Sequence, residues 1–136
     1  MSAHLSDLLA FGLTGSPWLL VVAWLLGMTQ LTIHSVSLYL HRSATHRGVD
    51  FHPALAHAFR FWTWLTTGMV TKEWVAIHRK HHARCETDGD PHSPVVYGIG
   101  RILWHGVALY QDACKDRAMV ARYGIGTVDD WLERNL

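Results

Sequence analysis

Residues 17–46 read PWLLVVAWLLGMTQLTIHSVSLYLHRSATH, an apolar run that ends in two histidines. Residues 17–40 carry no formal charge, and about 20 apolar residues suffice for a helix to cross a bilayer. A signal peptide would carry basic residues before the apolar run, and residues 1–16 contain neither Lys nor Arg. The stretch therefore predicts a retained transmembrane helix over about residues 17–40, with a short helix over residues 5–13 packed beneath it.

Composition limits the class of protein. A chain of 136 residues fits at most one domain, and a net charge of +1 leaves no electrostatic footprint for nucleic acid. Cys85 and Cys114 form no C-x-x-C pair, so we expect two reduced thiols. Three of the seven tryptophans, Trp62, Trp64 and Trp74, fit a membrane–water boundary.

Basic residues follow the apolar span on its C-terminal side. Arg42 and Arg47 follow it at once, and further on lie Lys72, Arg79, Lys80 and Arg84. Because the cytoplasmic flanks of transmembrane helices are enriched in Lys and Arg, this asymmetry predicts that the C-terminal side lies in the cytoplasm.

A second helix is predicted over about residues 53–70, with proline at its favoured first position. Its apolar stripe comprises Leu55, Phe59, Trp62, Leu65 and Met69. The segment between His46 and His78 is too short to cross the bilayer twice, which needs about 40 helical residues and a turn. If both histidine clusters serve one site, this helix therefore lies along the interface or dips in and returns.

The C-terminal region, residues 85–136, is predicted to contain a loop followed by short helices on the cytosolic side. Residues 85–100 hold two prolines and three glycines and predict a loop. Residues 101–123 predict one or two surface helices, and Thr127 with Asp130 resembles a capping box for a last helix. That helix reaches the last residue without a C-cap, so we expect the chain to be a fragment.

Five histidines in two clusters carry the chemical signal: HRSATH at residues 41–46 and HRKHH at residues 78–82. His78, His81 and His82 share one side of a helix, so they face a common centre or two adjacent metals. His41 and His46 are about 140° apart on an ideal helix, and they share a site only if the helix widens or ends there. Without matching cysteines, five imidazoles predict a redox metal rather than structural zinc.

Other polar residues have both a structural and a functional interpretation. His34, inside the span, is either a functional group or one hydrogen-bonded to a neighbouring helix. Lys72 and Arg79 either belong to a solvated basic face or contact an anionic substrate head. The candidates to orient metal-bound histidines, each otherwise an ordinary surface or turn residue, are Asp90, His92, His52 and His105. His57 is expected to serve packing.

The motifs resemble those of the membrane fatty acid desaturases, specifically the acyl-CoA desaturase branch. The resemblance rests on LHRSATHR at residues 40–47, EWVAIHRKHH at 73–82 and ETDGDPHSP at 86–94. It implies an all-α integral membrane protein, with a transmembrane stem and a cytosolic histidine-rich cap. It also implies that five residues are ligands of a di-iron centre: His41, His46, His78, His81 and His82.

The same resemblance implies an activity and its partners. The family uses O2 and two electrons to place a double bond in a fatty acyl chain, with electrons from a cytochrome b5-like or ferredoxin-type donor. The substrate is an acyl-CoA or another acyl carrier or lipid. The family's third histidine box does not occur in this sequence, so we expect residues 1–136 to be an N-terminal portion that is inactive alone.

Three other functions are considered for the same residues. A lipid hydroxylase of the same superfamily would use the same boxes and yield an alcohol instead of an alkene. A non-catalytic membrane remnant would retain metal binding without turnover. A haem protein fits less well, because it needs paired histidines on facing spans and only His34 lies inside one.

Overall fold

A computed structural model of the chain describes residues 17–135, together with residues 7, 11, 12 and 15. Every regular element in this part of the chain is a helix, which confirms the all-α prediction. The elements are α1 (Trp18–His34), the π-helix π1 (Ser35–Thr45), α2 (Pro53–Thr67), α3 (Thr71–Arg84), α4 (Pro94–Tyr97), α5 (Ile99–Cys114), α6 (Arg117–Tyr123) and α7 (Trp131–Asn135). The helix expected over residues 5–13 falls largely outside the described residues.

The apolar run forms one helix, Trp18–Thr45, that is long and apolar enough to span a membrane. None of the α1 side chains is buried, and a helix that is apolar all round is expected where lipid surrounds it. His34 donates from Nδ1 to the Gln30 carbonyl of its own helix, at 2.7 Å. This bond lies within α1, and the alternative of a bond to a neighbouring helix stays a prediction.

The chain divides into two compact units, Met1–His34 and Ser35–Leu136. In the second unit, α3 packs against π1, α5 and α6, while α2 packs against π1. Its hydrophobic core joins Ala76 and Ile77 of α3 to Met119 and Val120 of α6. The central helix α3 is thus held on several sides, and it carries the second histidine cluster.

The helix α2 turns only part of its apolar side outward, since Phe59 and Trp62 are half-buried. Phe61 and Leu65 are 48% and 57% exposed, whereas Arg60 and Thr63 are only 4% and 1% exposed. The Nη2 atom of Arg60 donates to Asp130 Oδ2 at 2.7 Å, which ties α2 to the segment before α7. The buried side of α2 thus includes Arg60 and Thr63, and its exposed apolar side chains are available to contact lipid.

Two sequence predictions fail in the C-terminal region. The loop expected over residues 85–100 contains the short helix α4, because Ser93 caps it by accepting bonds from the N–H groups of Val95 and Val96. The cap of the last helix is Asp130, whose Oδ1 accepts the Glu133 N–H at 3.1 Å. The Thr127 hydroxyl instead donates to the Gly124 carbonyl, so the predicted capping box does not form.

Candidate metal centre

The first histidine cluster lies in and directly after π1, which explains how an i, i+5 pair can share a site. A π-helix closes its hydrogen bonds between residues five apart, and the His46 N–H donates to the His41 carbonyl at 3.1 Å. The two imidazoles therefore lie on one side of the chain, with ring centroids 4.7 Å apart. Of the two arrangements that the spacing allows, the structure has the widened helix.

Four histidines from the two clusters converge. One ring nitrogen each of His41, His46 and His78 lies within 4.8 Å of the other two. His82 joins them, because its Nε2 is 3.1 Å from Nε2 of His78 and its ring centroid is 4.9 Å from that of His46. Two nitrogens bound to one ion at about 2.1 Å are about 3.0–3.4 Å apart, so the closest pair already has the spacing of metal ligands.

His78 is neutral near pH 7 in this cluster. Burial, followed by repulsion from His41, His82 and His46, lowers its pKa to about 4. A neutral imidazole keeps a nitrogen lone pair free for a metal. The indole of Trp74, one turn earlier on α3, stacks on the His78 ring at 4.7 Å and 17°, and this contact restricts the orientation of the ring.

His81 faces a different set of partners. Its Nδ1 lies 2.9 and 2.8 Å from the two carboxylate oxygens of Asp90, and its ring stacks on that of His92 at 4.4 Å. The Asp90 side chain is buried and also accepts the backbone N–H groups of Glu86 and His92. The Asp90 oxygens are thus occupied, and Nε2 of His81 is the nitrogen left for a metal.

Asp90 is held in its charged form. Burial alone would raise the pKa of this carboxyl group, but hydrogen bonds from the His81 ring and from the His92 and Glu86 backbones outweigh it and lower the pKa. A carboxylate facing Nδ1 of His81 favours the tautomer with its proton on that nitrogen. The orientation and tautomer of His81 are therefore set by a residue nine positions further along the chain.

The remaining sequence candidates lie elsewhere. His52 caps α2 by accepting the Ala54 N–H, His57 accepts a bond from Arg60, and His105 sits at a kink in α5. Lys72 lies against Gly124, and the guanidinium of Arg79 donates to four backbone carbonyls. Among these residues, Arg79 is the one whose side chain is seen to bond backbone carbonyls of the first histidine cluster, those of Ala44 and Thr45.

An apolar cavity of about 260 Å³ borders the histidines between α3 and α5. Its walls include Ile77, Ile102 and Tyr110, and it touches the rings of His78 and His92. Neither this cavity nor the stacking role of Trp74 was predicted from the sequence. The signal for Trp74 is its position four residues before His78, which places the two side chains on one face of a helix.

Comparison with known proteins gives a consistent result. A profile of the fatty acid desaturases matches residues 16–126. A hex-5-enoyl-[acyl-carrier protein] acetylenase of Moorena producens (strain JHB) is 31% identical over 62% of this chain and 28% of the relative. A probable chloroplastic lipid desaturase of Arabidopsis thaliana is 38% identical over 54% of this chain and 20% of the relative.

A third relative is the palmitoyl-monogalactosyldiacylglycerol delta-7 desaturase of Arabidopsis thaliana chloroplasts, 32% identical over 57% of this chain and 19% of the relative. No solved structure matches this chain significantly. The chain spans less than a third of the length of each of these relatives. Because the matched profile covers most of the sequence, the chain belongs to the fatty acid desaturase family.

Proposed function

We propose that this chain is the N-terminal, metal-binding part of a membrane fatty acyl desaturase. The observation that carries the proposal is the convergence of four imidazoles, from two separate histidine boxes, on one centre. Imidazole nitrogen is a suitable ligand for iron, and the donor spacing fits one ion. His41, His46, His78 and His82 would hold the first iron, and His81 would contribute to the second.

The residues of this chain have distinct roles in that reaction. When bound, the two irons would activate O2, which takes two hydrogens from the acyl chain and, with two electrons and two protons, is reduced to two waters. Asp90 orients His81, and Trp74 orients His78. The cavity next to His78 would hold a methylene segment of the substrate and exclude water, because its side-chain walls are largely apolar.

The substrate and partners are proposed at the level of chemical class. The substrate is a fatty acyl group on coenzyme A or on another carrier or lipid. The names of two relatives specify an acyl-carrier protein and a galactolipid, so carriers differ within the family. The electron donor is of the cytochrome b5 or ferredoxin type, and the metal centre lies on the cytoplasmic side of the membrane.

A metal titration tests the proposal. We expect the purified chain to bind one Co²⁺ or Fe²⁺ ion tightly, under anaerobic conditions for iron, and a second ion weakly. His78→Ala should abolish tight binding. His105→Ala is the matched control, because His105 lies at a kink in α5 and belongs to neither histidine cluster. Equal binding by both variants, or no binding by the unmodified chain, would refute the proposal.

Product analysis separates desaturation from the alternatives. In the described residues, no histidine of the first cluster lies beside His81. The second ion therefore needs ligands from outside this segment, and we expect no turnover by residues 1–136 alone. The assay supplies iron, O2, a reduced electron donor and an acyl substrate. An alkene would contradict the expected inactivity, an alcohol would indicate a hydroxylase, and metal binding without any product even in the longer protein would indicate a non-catalytic remnant.

A further inference from the structure

Arg79, inside the second histidine cluster, forms an unusual set of hydrogen bonds. Its Nη1 donates to the carbonyls of Tyr123 and Ile125 at 3.1 and 2.8 Å. Its Nη2 donates to the carbonyls of Ala44 and Thr45 at 3.1 and 3.3 Å. One guanidinium group therefore joins three segments: α3, the last turn of π1 and the turn that follows α6.

The carbonyls at the end of π1 need such a partner. The last carbonyls of any helix have no N–H partner further along it, and together they form the negative end of the helix dipole. Ala44 and Thr45 directly precede His46, and the chain then turns sharply, with a positive φ of 53° at Arg47. The Arg79 bonds thus fix the backbone directly before one predicted ligand, His46.

The same side chain is adjacent in sequence to another predicted ligand, His78. The guanidinium group of Arg79 is planar and rigid, and its bonds to the end of π1 fix the distance between the two histidine clusters. Lysine cannot replace it fully, because an ammonium group is a compact point donor on a flexible stem, whereas guanidinium presents its donors in a fixed plane.

We propose that Arg79 is a positioning residue that holds the first histidine box against the second and so determines how many imidazoles reach one metal ion. The inference rests on the proposed function in one respect, that these histidines bind a metal. It replaces the alternative in which Arg79 contacts an anionic substrate head, because both Nη atoms already donate to carbonyls of this chain.

The test compares Arg79→Gln, Arg79→Lys and Lys80→Gln in the full chain. We expect Arg79→Gln to weaken Co²⁺ binding by about 10–100-fold, the range typical of residues that orient metal ligands. X-ray absorption should show the number of bound imidazoles falling from four to two, since His78 and His82 lie one turn apart on the same helix and remain. Arg79→Lys should be intermediate, and Lys80→Gln should match the unmodified chain.

A metal-free measurement separates this inference from the proposed function. In the NMR spectrum of the metal-free chain, we expect contacts between the His46 and His82 rings, whose centroids are 4.9 Å apart. Arg79→Gln should lose these contacts while Lys80→Gln keeps them. If Arg79→Gln does not fold, Arg79→Lys provides the comparison. Unchanged ring contacts and an unchanged ligand count would overturn the inference, whereas a metal-binding failure of the unmodified chain would overturn only the proposed function.

Discussion

A single buried carboxylate determines how the His81 ring is presented. Asp90 accepts three groups at once: the His81 ring N–H and the backbone N–H groups of Glu86 and His92. A buried acceptor that is fully paired stabilises the fold, and the donors around it would lose their partners without it. The loop over residues 85–93 and the orientation of one proposed metal ligand, His81, therefore depend on the same side chain.

Replacing Asp90 should affect both the loop and the ligand. We expect Asp90→Ala to lower the free energy of unfolding by about 1–3 kcal/mol, because it leaves buried donors unpaired. The His81 proton should also move in part from Nδ1 to Nε2, which ¹⁵N chemical shifts of the ring report. Asp88→Ala, an exposed change in the same loop, is the control. An unchanged His81 tautomer in Asp90→Ala would contradict the assigned role.

The histidine spacings predicted that these histidines lie close together, but not that His81 contacts a different set of partners. On a helix, residues i, i+3 and i+4 lie on one side, so the spacing does not distinguish His78, His81 and His82 from one another. What separates His81 from the other two is the loop that brings Asp90 and His92 back to its ring. Such a tertiary contact leaves no periodic signal, and neither do the carbonyl partners of Arg79.

At the scale of the helices, the sequence predicted the positions better than the packing. The helix α2 begins at Pro53 as predicted from proline's preference for the first turn. Part of its apolar stripe, Leu55 and Leu65, nevertheless faces outward, while Arg60 is paired with Asp130 beneath the helix. Periodicity locates an apolar face, but it does not tell whether protein or lipid covers that face.

The contact between α3 and α6 depends on a glycine. A Cβ atom at Gly124 would lie 2.6 Å from the Val120 carbonyl oxygen and 2.8 Å from Cγ of Lys72. The Val120 oxygen belongs to α6 itself, whereas Lys72, whose carbonyl oxygen would lie 3.2 Å from the same Cβ atom, belongs to α3. Backbone oxygens cannot move aside cheaply, so both the end of α6 and its approach to α3 require a residue without a side chain.

Substitution of this glycine should therefore be costly. We expect Gly124→Ala to lower the free energy of unfolding by about 1–3 kcal/mol, the usual range for overpacking. Gly100→Ala, in α5 with open space around it, should instead raise stability by roughly 0.5–1 kcal/mol, because alanine favours helix interiors. Thermal unfolding followed by circular dichroism checks both, and equal midpoints for the two variants would contradict the packing described.

At the scale of the whole molecule, the described chain is an apolar helix followed by a unit that carries the histidines. The helix Trp18–Thr45 and the family both indicate membrane association. Basic residues after the span predict that the histidine-bearing unit is cytoplasmic. The free thiol of Cys85, exposed at the end of α3, offers a native probe of that orientation.

Labelling of Cys85 should depend on the side of the membrane. In a Cys114→Ser background, we expect a membrane-impermeant maleimide to leave Cys85 unmodified in intact cells and to react with it in inverted vesicles. The physical reason is that the charged reagent cannot cross the hydrocarbon core. Reaction in intact cells at the rate seen with inverted vesicles would place the histidines on the other side.

The central claim, that four of the five histidines share one ion while His81 belongs to another, is tested most directly by His81→Ala and His82→Ala. His81 and His82 are neighbours on α3, and replacing either by alanine raises helix propensity by the same amount, so the two variants control for one another. We expect His82→Ala to weaken the tight Co²⁺ site by at least about tenfold and to reduce its imidazole count from four to three, while His81→Ala leaves that site intact. A loss of tight binding in His81→Ala as large as in His82→Ala would contradict the claim.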